Sequence, residues 1–305
     1  MATTKRNRVK APTLNPSSES VLATNINDVS TLKPHGRVCT ERGGTRTEKL
    51  LRCKQSMFVS TLNTRTLRSI YLQEEICGLA KRYNQDITGL QEHKIVNPDE
   101  PIRHHDLFDG YQLVSSSAWR NRAGIAVGGV GILMSAKAKK TLLSCICITP
   151  RKICATFGGS PKTTIIVTYC PTNVSDEKES EEHYMLLDKY IKQVSAHNFL
   201  MVMGDFNARV GKEHYKFPYH DSTNRNGELL HTLAIENELE IANVSFCKKN
   251  PCYGHVHYHL VLRHNLTTSL YVGSGGIAFS IVAPTTPSQA LDQITVLLQQ
   301  KYVSA

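Results

Sequence analysis

Phe199-Leu-Met-Val-Met203-Gly204-Asp205-Phe206-Asn207-Ala-Arg-Val-Gly211 is the stretch on which the reading of this chain turns. Its first five residues are apolar and read as a compact buried strand. The strand runs straight into a carboxylate, Asp205, with an amide, Asn207, two residues on. A core strand that ends in short polar side chains holds them more precisely than a loop can.

The same design recurs upstream. Met57-Phe-Val-Ser-Thr-Leu62 reads as a strand and runs into Asn63-Thr-Arg-Thr. Asp86-Ile-Thr-Gly-Leu90 runs into Gln91-Glu92-His93-Lys94, and Thr163-Thr-Ile-Ile-Val-Thr-Tyr169 into Cys-Pro-Thr-Asn173. Further strands are expected at 111–114, 127–134, 141–149, 153–157 and 239–244. Three helices are expected between them, at 69–83, 176–196 and 227–237, from apolar residues recurring every three or four positions. Strands with interleaved helices indicate an α/β or α+β domain. Carboxylates, amides and a phenol at the strand ends suit a phosphate and a hard metal ion. Mg²⁺ takes oxygen ligands and often needs only one or two carboxylates.

Composition sets the limits. The chain has 305 residues, 40% of them apolar, and a formal charge of +10. A wholly disordered, collagen-like or coiled-coil chain is excluded. No apolar run approaches the ~18–20 residues of a membrane span, and no apolar stretch follows the basic start, so neither a membrane partner nor secretion is expected. The charge is uneven: residues 1–56 carry +7, residues 57–247 sum to zero, and residues 248–305 carry +3. The chain therefore divides into a basic, unstructured arm (1–55), a neutral body (56–247) and a divergent tail (248–305) with a helix-like end at 288–300. The nine cysteines are odd in number and include no Cys-x-x-Cys pair. They read as free thiols in a reducing, intracellular compartment, nuclear or cytoplasmic. His93, His104 and His105 read as surface histidines.

Five segments carry a resemblance by their order: Leu62-Asn63-Thr-Arg-Thr-Leu67, Leu90-Gln-Glu92-His-Lys94, Gly128-Gly-Val-Gly-Ile-Leu133, Tyr169-Cys-Pro-Thr172 and Gly204-Asp205-Phe-Asn207-Ala-Arg-Val-Gly211. The set resembles the endonuclease/exonuclease/phosphatase superfamily. Within it, the set is most similar to the apurinic-endonuclease-like domain of non-LTR retrotransposons and the domesticated proteins related to it. Asn224-Arg-Asn226-Gly-Glu-Leu-Leu230 also suits that branch. The resemblance covers about residues 57–247. It implies a DNase I-like fold, a two-sheet β-sandwich flanked by helices in four α/β/β/α layers. It also implies a phosphodiester hydrolase using Mg²⁺ or Mn²⁺, with DNA as partner. In that branch the enzyme nicks DNA for target-primed reverse transcription. No Tyr-x-Asp-Asp polymerase motif is present, so a reverse transcriptase would be encoded outside this chain.

Residue by residue, Glu92 resembles the metal-binding glutamate, and Asn63 the asparagine that supports the metal and phosphate network. Tyr169 resembles the tyrosine on the scissile phosphate. Asp205 resembles the aspartate that orients or deprotonates water, and Asn207 the asparagine that holds the phosphate or its catalytic partner. Lys94 stands where the family often has a lysine close to the site.

The family pattern ends in a Ser-Asp-His motif, and here none is found. After Asn243-Val-Ser-Phe246 the chain departs, and Asp292 is its one acidic residue beyond position 247. The alternate spacing of His255, His257 and His259 would put them on one face of a strand, but an out-of-family tail is the plainer reading. The expectation is a sandwich incomplete at its C-terminus, with an exposed sheet edge and lowered or absent activity. A nucleic-acid-binding remnant and a phosphatase-like or interaction protein of the same superfamily are the alternatives.

Overall fold

Two parallel strand pairs, one in each of two sheets, organise the molecule. The computed structural model describes residues 49–50, 56–218 and 220–245, and the backbone of three later strands, 258–263, 267–273 and 276–282. Most of the arm, His255, His257 and the helix-like end at 288–300 lie outside the described residues. In chain order the elements are β1 (Ser56–Asn63), α1 (Ile70–Arg82), β2 (Ile87–Gln91), β3 (Ile102–Asp106), β4 (Gln112–Ser116), β5 (Trp119–Arg120), β6 (Ala126–Val127), β7 (Val130–Met134) and α2 (Ala136–Lys139). There follow β8 (Leu142–Thr149), β9 (Lys152–Phe157), β10 (Thr163–Tyr169), α3 (Glu177–Gln193), β11 (Phe199–Asp205), α4 (Arg225–Glu236), β12 (Leu239–Ile241) and α5 (Ala242–Ser245). The tail adds β13 (Tyr258–Arg263), β14 (Thr267–Gly273) and β15 (Gly276–Val282).

One sheet runs β14-β15-β1-β2-β7-β4-β3, the other β12-β13-β11-β10-β9-β8. Alternation along the strands explains the layers. Ile165, Val167, Met201 and Met203 join Met57, Val59, Ile87 and Ile132 in the core between the sheets. Their neighbours Ile166, Leu200 and Val202 point the other way, onto Tyr184, Leu187 and Ile191 of α3 and Leu230 and Leu233 of α4. Each such side chain contributes about 1.5–3 kcal/mol on burial. On the far face of the first sheet, Leu90, Leu113 and Leu133 pack against Ile76, Cys77 and Ala80 of α1. The result is the expected α/β/β/α sandwich. The helices begin where their caps dictate: Ser69 accepts the Leu72 N–H at 3.3 Å, and Asn224 accepts the Gly227 N–H at 2.8 Å.

The pairings correct several sequence expectations. The sandwich does not lack its C-terminal strands. β15 pairs antiparallel with β1, β14 with β15, and β13 lies between β11 and β12. The tail therefore covers the edges that its divergence led us to expect exposed. Leu50, which fell within the arm, is only 1% exposed and belongs to the core. The strand expected over 239–244 ends at Ile241 and turns into α5. The 127–134 segment breaks into β6 and β7 at Gly128-Gly129, both at positive φ. β3 carried no clear signal, since Arg-His-His-Asp is polar and only Ile102 of the strand is buried.

β1 and β2 are parallel, with Asn63 opposite Gln91; β10 and β11 are parallel, with Tyr169 opposite Asp205. Each pair is joined by a crossover containing a helix, α1 in one case and α3 in the other. The carboxyl ends of both pairs open on the same end of the sandwich, which is where α/β proteins place their ligands.

Candidate active site

Asn63, Glu92, Tyr169 and Asp205 come together at that end, two from each sheet. The Asn63 amide donates through Nδ2 to Glu92 Oε1 at 2.8 Å and to Asp205 Oδ2 at 3.0 Å. Its Oδ1 accepts the Arg65 N–H at 2.9 Å, which fixes the orientation of the amide. One side chain of the first sheet thus bridges a carboxylate from each. In this arrangement Asn63 works as a donor that holds two carboxylates. The Tyr169 phenol hydrogen-bonds Glu92, and Lys94 Nζ lies 3.6 Å from Glu92 Oε2.

Asn207 ties the second sheet's strand ends together. Its N–H donates to Asp205 Oδ1 at 3.1 Å, and its Nδ2 donates to the Cys170 carbonyl at 2.9 Å. Arg65, Glu92, Lys94 and Asn207 all sit at positive φ, between 49° and 56°. Such backbone costs of order 1–3 kcal/mol per residue and collects at functional sites. Gly204 belongs to the same construction. Its φ is 153°, and a Cβ there would overlap the Thr168 carbonyl oxygen of β10. Only glycine lets β11 lie this close to β10 just before Asp205.

Asp205 is 6% exposed, and its carboxyl pKa is pushed up to about 6. Burial is the main cause and the Glu92 charge adds to it, while the Asn63 and Asn207 donors pull the other way. Burial and the same carboxylates push the Tyr169 phenol well up, so it stays protonated at neutral pH.

Several residues near the site carried no motif. Arg151 stacks on both Trp119 and Tyr169, with the guanidinium carbon 4.7 Å from the Trp119 ring centre and 5.2 Å from that of Tyr169. His93 is fully buried, correcting the surface reading. The Ile95 N–H donates to its Nδ1 at 3.0 Å, its Nε2 lies 3.2 Å from the Val130 carbonyl oxygen, and burial lowers its pKa to about 4. Beneath Tyr169 a polar chain crosses the core. Lys152 Nζ lies 2.7 Å from His183 Nδ1, and His183 Nε2 lies 2.9 Å from Thr168 Oγ1 and 3.2 Å from Cys170 Sγ. Burial drives the Lys152 pKa down to about 7.

Of the tail histidines, His259 stands on β13 opposite Gly204 in register. The β14–β15 hairpin turns at the site end, with Gly273 opposite Gly276.

The 3'-5' exonuclease of Neisseria meningitidis superposes on 75% of this chain and all of its own, with a TM-score of 0.51 at 17% identity. An apurinic endonuclease of Leishmania major gives 0.53 at 11% identity, over 74% of this chain and 87% of its own. One from Archaeoglobus fulgidus gives 0.52 at 13% identity, over 74% and 99%. The fold is that of the endonuclease/exonuclease/phosphatase superfamily. In all, 144 solved chains match this structure, although no family model matches the sequence. In sequence, the craniofacial development protein 2 of Bos taurus is 27% identical over 208 residues, and that of Tragulus javanicus is equally close. These residues are 66% of this chain, which spans only about a third of the length of either relative.

Proposed function

We propose that this chain is a divalent-metal-dependent phosphodiester hydrolase acting on DNA, an endonuclease domain of the non-LTR retrotransposon type. One observation carries the proposal: a carboxylate from each sheet, Glu92 and Asp205, held by the single amide of Asn63 beside a protonated phenol. Support comes also from the fold likeness to nucleases and from the ordered motifs.

The donor set fits a hard cation. Two carboxylates share one donor, and Lys94 at 3.6 Å is the cation paired with Glu92. Among the described residues no group of three or more His, Cys, Asp and Glu gathers. That suits Mg²⁺ or Mn²⁺, which commonly take one or two carboxylates and fill their remaining positions with water and substrate phosphate. Glu92 would hold the metal, with Asn63 fixing its carboxylate. When bound, the metal would offset charge on the transferred phosphate and acidify water. Asp205, with its raised pKa, orients and deprotonates the attacking water, a task suited to a pKa just below the working pH. Tyr169 and Lys94 donate to the phosphate oxygens, and Asn207 holds Asp205 and the end of β10 in place.

The glycine hairpin at the site end favours one second reading. Gly273 and Gly276 offer no imidazole or carboxylate where the strand neighbouring β1 begins. In that reading the chain binds DNA and does not cut it. Reverse transcription primed at such a nick would require a reverse transcriptase on another chain, and both readings expect a protein inside the cell. Purified chain with supercoiled plasmid and Mg²⁺ or Mn²⁺ tests the hydrolase. Nicking abolished by Glu92→Ala with Asp205→Ala supports it; nicking that survives the double variant sinks it. DNA binding without nicking would select the second reading.

A further inference from the structure

We propose that Arg151 is a second phosphate-binding cation of this site, gripping the DNA backbone beside Tyr169. The inference rests on the reading of the site as one that binds a phosphodiester. It is not carried by the sequence motifs, because Arg151 lies in the turn between β8 and β9.

That turn is pinned at three points. The Arg151 N–H donates to Thr149 Oγ1 at 3.2 Å, the Tyr169 N–H donates to the Arg151 carbonyl at 2.9 Å, and Ser116 Oγ donates to the Pro150 carbonyl at 3.4 Å. The side chain is fixed as well as the backbone. Gly128, at φ 67°, leaves the space in which the Trp119 ring lies, since a Cβ there would overlap that ring. The guanidinium then stacks on Trp119 and on Tyr169. A planar cation held against two aromatic rings keeps the donors along its edge available, and it loses little rotamer freedom on binding an anion.

The Arg151 side chain is 24% exposed, so solvent reaches it. Its partner is Glu179 in the first turn of α3, at 3.3 Å from Nη2, and Glu179 is half exposed. A pair whose carboxylate is this open to solvent is weak, so a phosphate can displace the glutamate. Lys94, by contrast, already faces Glu92. Arg151 therefore supplies positive charge at the Tyr169 side of the site while Lys94 serves the Glu92 side.

The test is the salt dependence of binding to a short fluorescent DNA duplex, with Ca²⁺ replacing Mg²⁺. Arg151→Gln should weaken binding about tenfold at low salt and reduce the slope of log affinity against log salt by about 0.9. Arg151→Lys should keep the slope. Glu179→Gln should tighten binding, since it frees the guanidinium; it also tests the proposal if Arg151→Gln does not fold. An unchanged slope in folded Arg151→Gln, or unchanged or weaker binding by Glu179→Gln, overturns the inference and leaves the hydrolase reading standing. Wild-type protein that fails to bind DNA overturns both.

Discussion

Replacing Gly204 by alanine should damage stability and chemistry together, by amounts that follow from the strand geometry. A Cβ at this position would lie 2.8 Å from the Thr168 carbonyl carbon and overlap its oxygen, where ordinary contact begins at 3.4 Å. The clashing Thr168 atoms belong to backbone, so no rotamer change relieves the clash. The φ of 153° is a region that L residues rarely adopt, costing of order 1–3 kcal/mol. Overpacking in a close-packed interior adds about 1–3 kcal/mol. Gly204→Ala should therefore lose roughly 2–6 kcal/mol, out of the ~5–15 kcal/mol typical of a domain. Relief requires β11 to move away from β10 by roughly an ångström. Asp205 is the next residue, and its cross-strand partner is Tyr169. Displacement of catalytic groups by about 1 Å costs about 100-fold in rate, so nicking should fall by a factor of ten to a hundred even where the variant is fully folded. Urea unfolding followed by the fluorescence of Trp119, the sole tryptophan, gives the stability. Plasmid nicking well below the variant's midpoint gives the rate. A variant that unfolds within 0.5 kcal/mol of wild type and nicks normally would refute the close approach of β10 and β11 and the role built on it.

Three further outcomes are expected. Tyr169→Phe keeps the ring under Arg151 and removes one donor, so kcat for nicking should fall about 100-fold with KM little changed; steady-state plasmid kinetics check this. Lys152 has a folded pKa of about 7 against 10.5, so the unfolded chain binds a proton between those values that the folded chain does not. Its burial penalty is therefore full below pH 7 and relaxes as pH rises, so wild type should gain roughly 1–2 kcal/mol of unfolding free energy relative to Lys152→Met from pH 7 to 8.5; a flat difference rejects the buried neutral lysine. Truncation after residue 247 removes the partners of β1 and β11, so the product should aggregate or lack cooperative unfolding by circular dichroism.

The strands and helices that bear the site were legible because each states its period locally. Phe199–Met203 is apolar throughout, and it is buried on both faces between the inter-sheet core and α3 and α4. Ile76, Cys77 and Ala80 recur at helical spacing and pack on the first sheet. The polar strand ends were legible because Asn63, Glu92, Tyr169 and Asp205 each follow such a strand directly. The stacking of Arg151 on Trp119 and Tyr169 was not, since it joins a turn to two strands distant in sequence through packing alone. His93 was misread because it stands in a polar run, and the positive φ of Glu92 and Lys94 that accompanies its burial has no sequence signature in those residue types. The tail was misjudged for a related reason: pairing of β13 and β15 is non-local, and its glycines weaken any strand signal.

Completion of the fold and completion of the chemistry separate in this chain. β13 lies beside β11, the strand of Asp205, and β15 lies beside β1, the strand of Asn63. The tail thus braces both halves of the site from their outer edges. At the same end of the sandwich its hairpin presents glycine at Gly273 and Gly276. In the proposed reading, charge on a bound phosphate is then met from elsewhere, by cations such as Lys94, drawn toward Glu92, and Arg151, stacked on Tyr169. The body of the chain, residues 57–247, has no net charge. In the proposed reading, its hold on a polyanion rests on cations fixed at the site rather than on the body's net charge, and Arg151, stacked on the Trp119 and Tyr169 rings, is the clearest instance of such fixing.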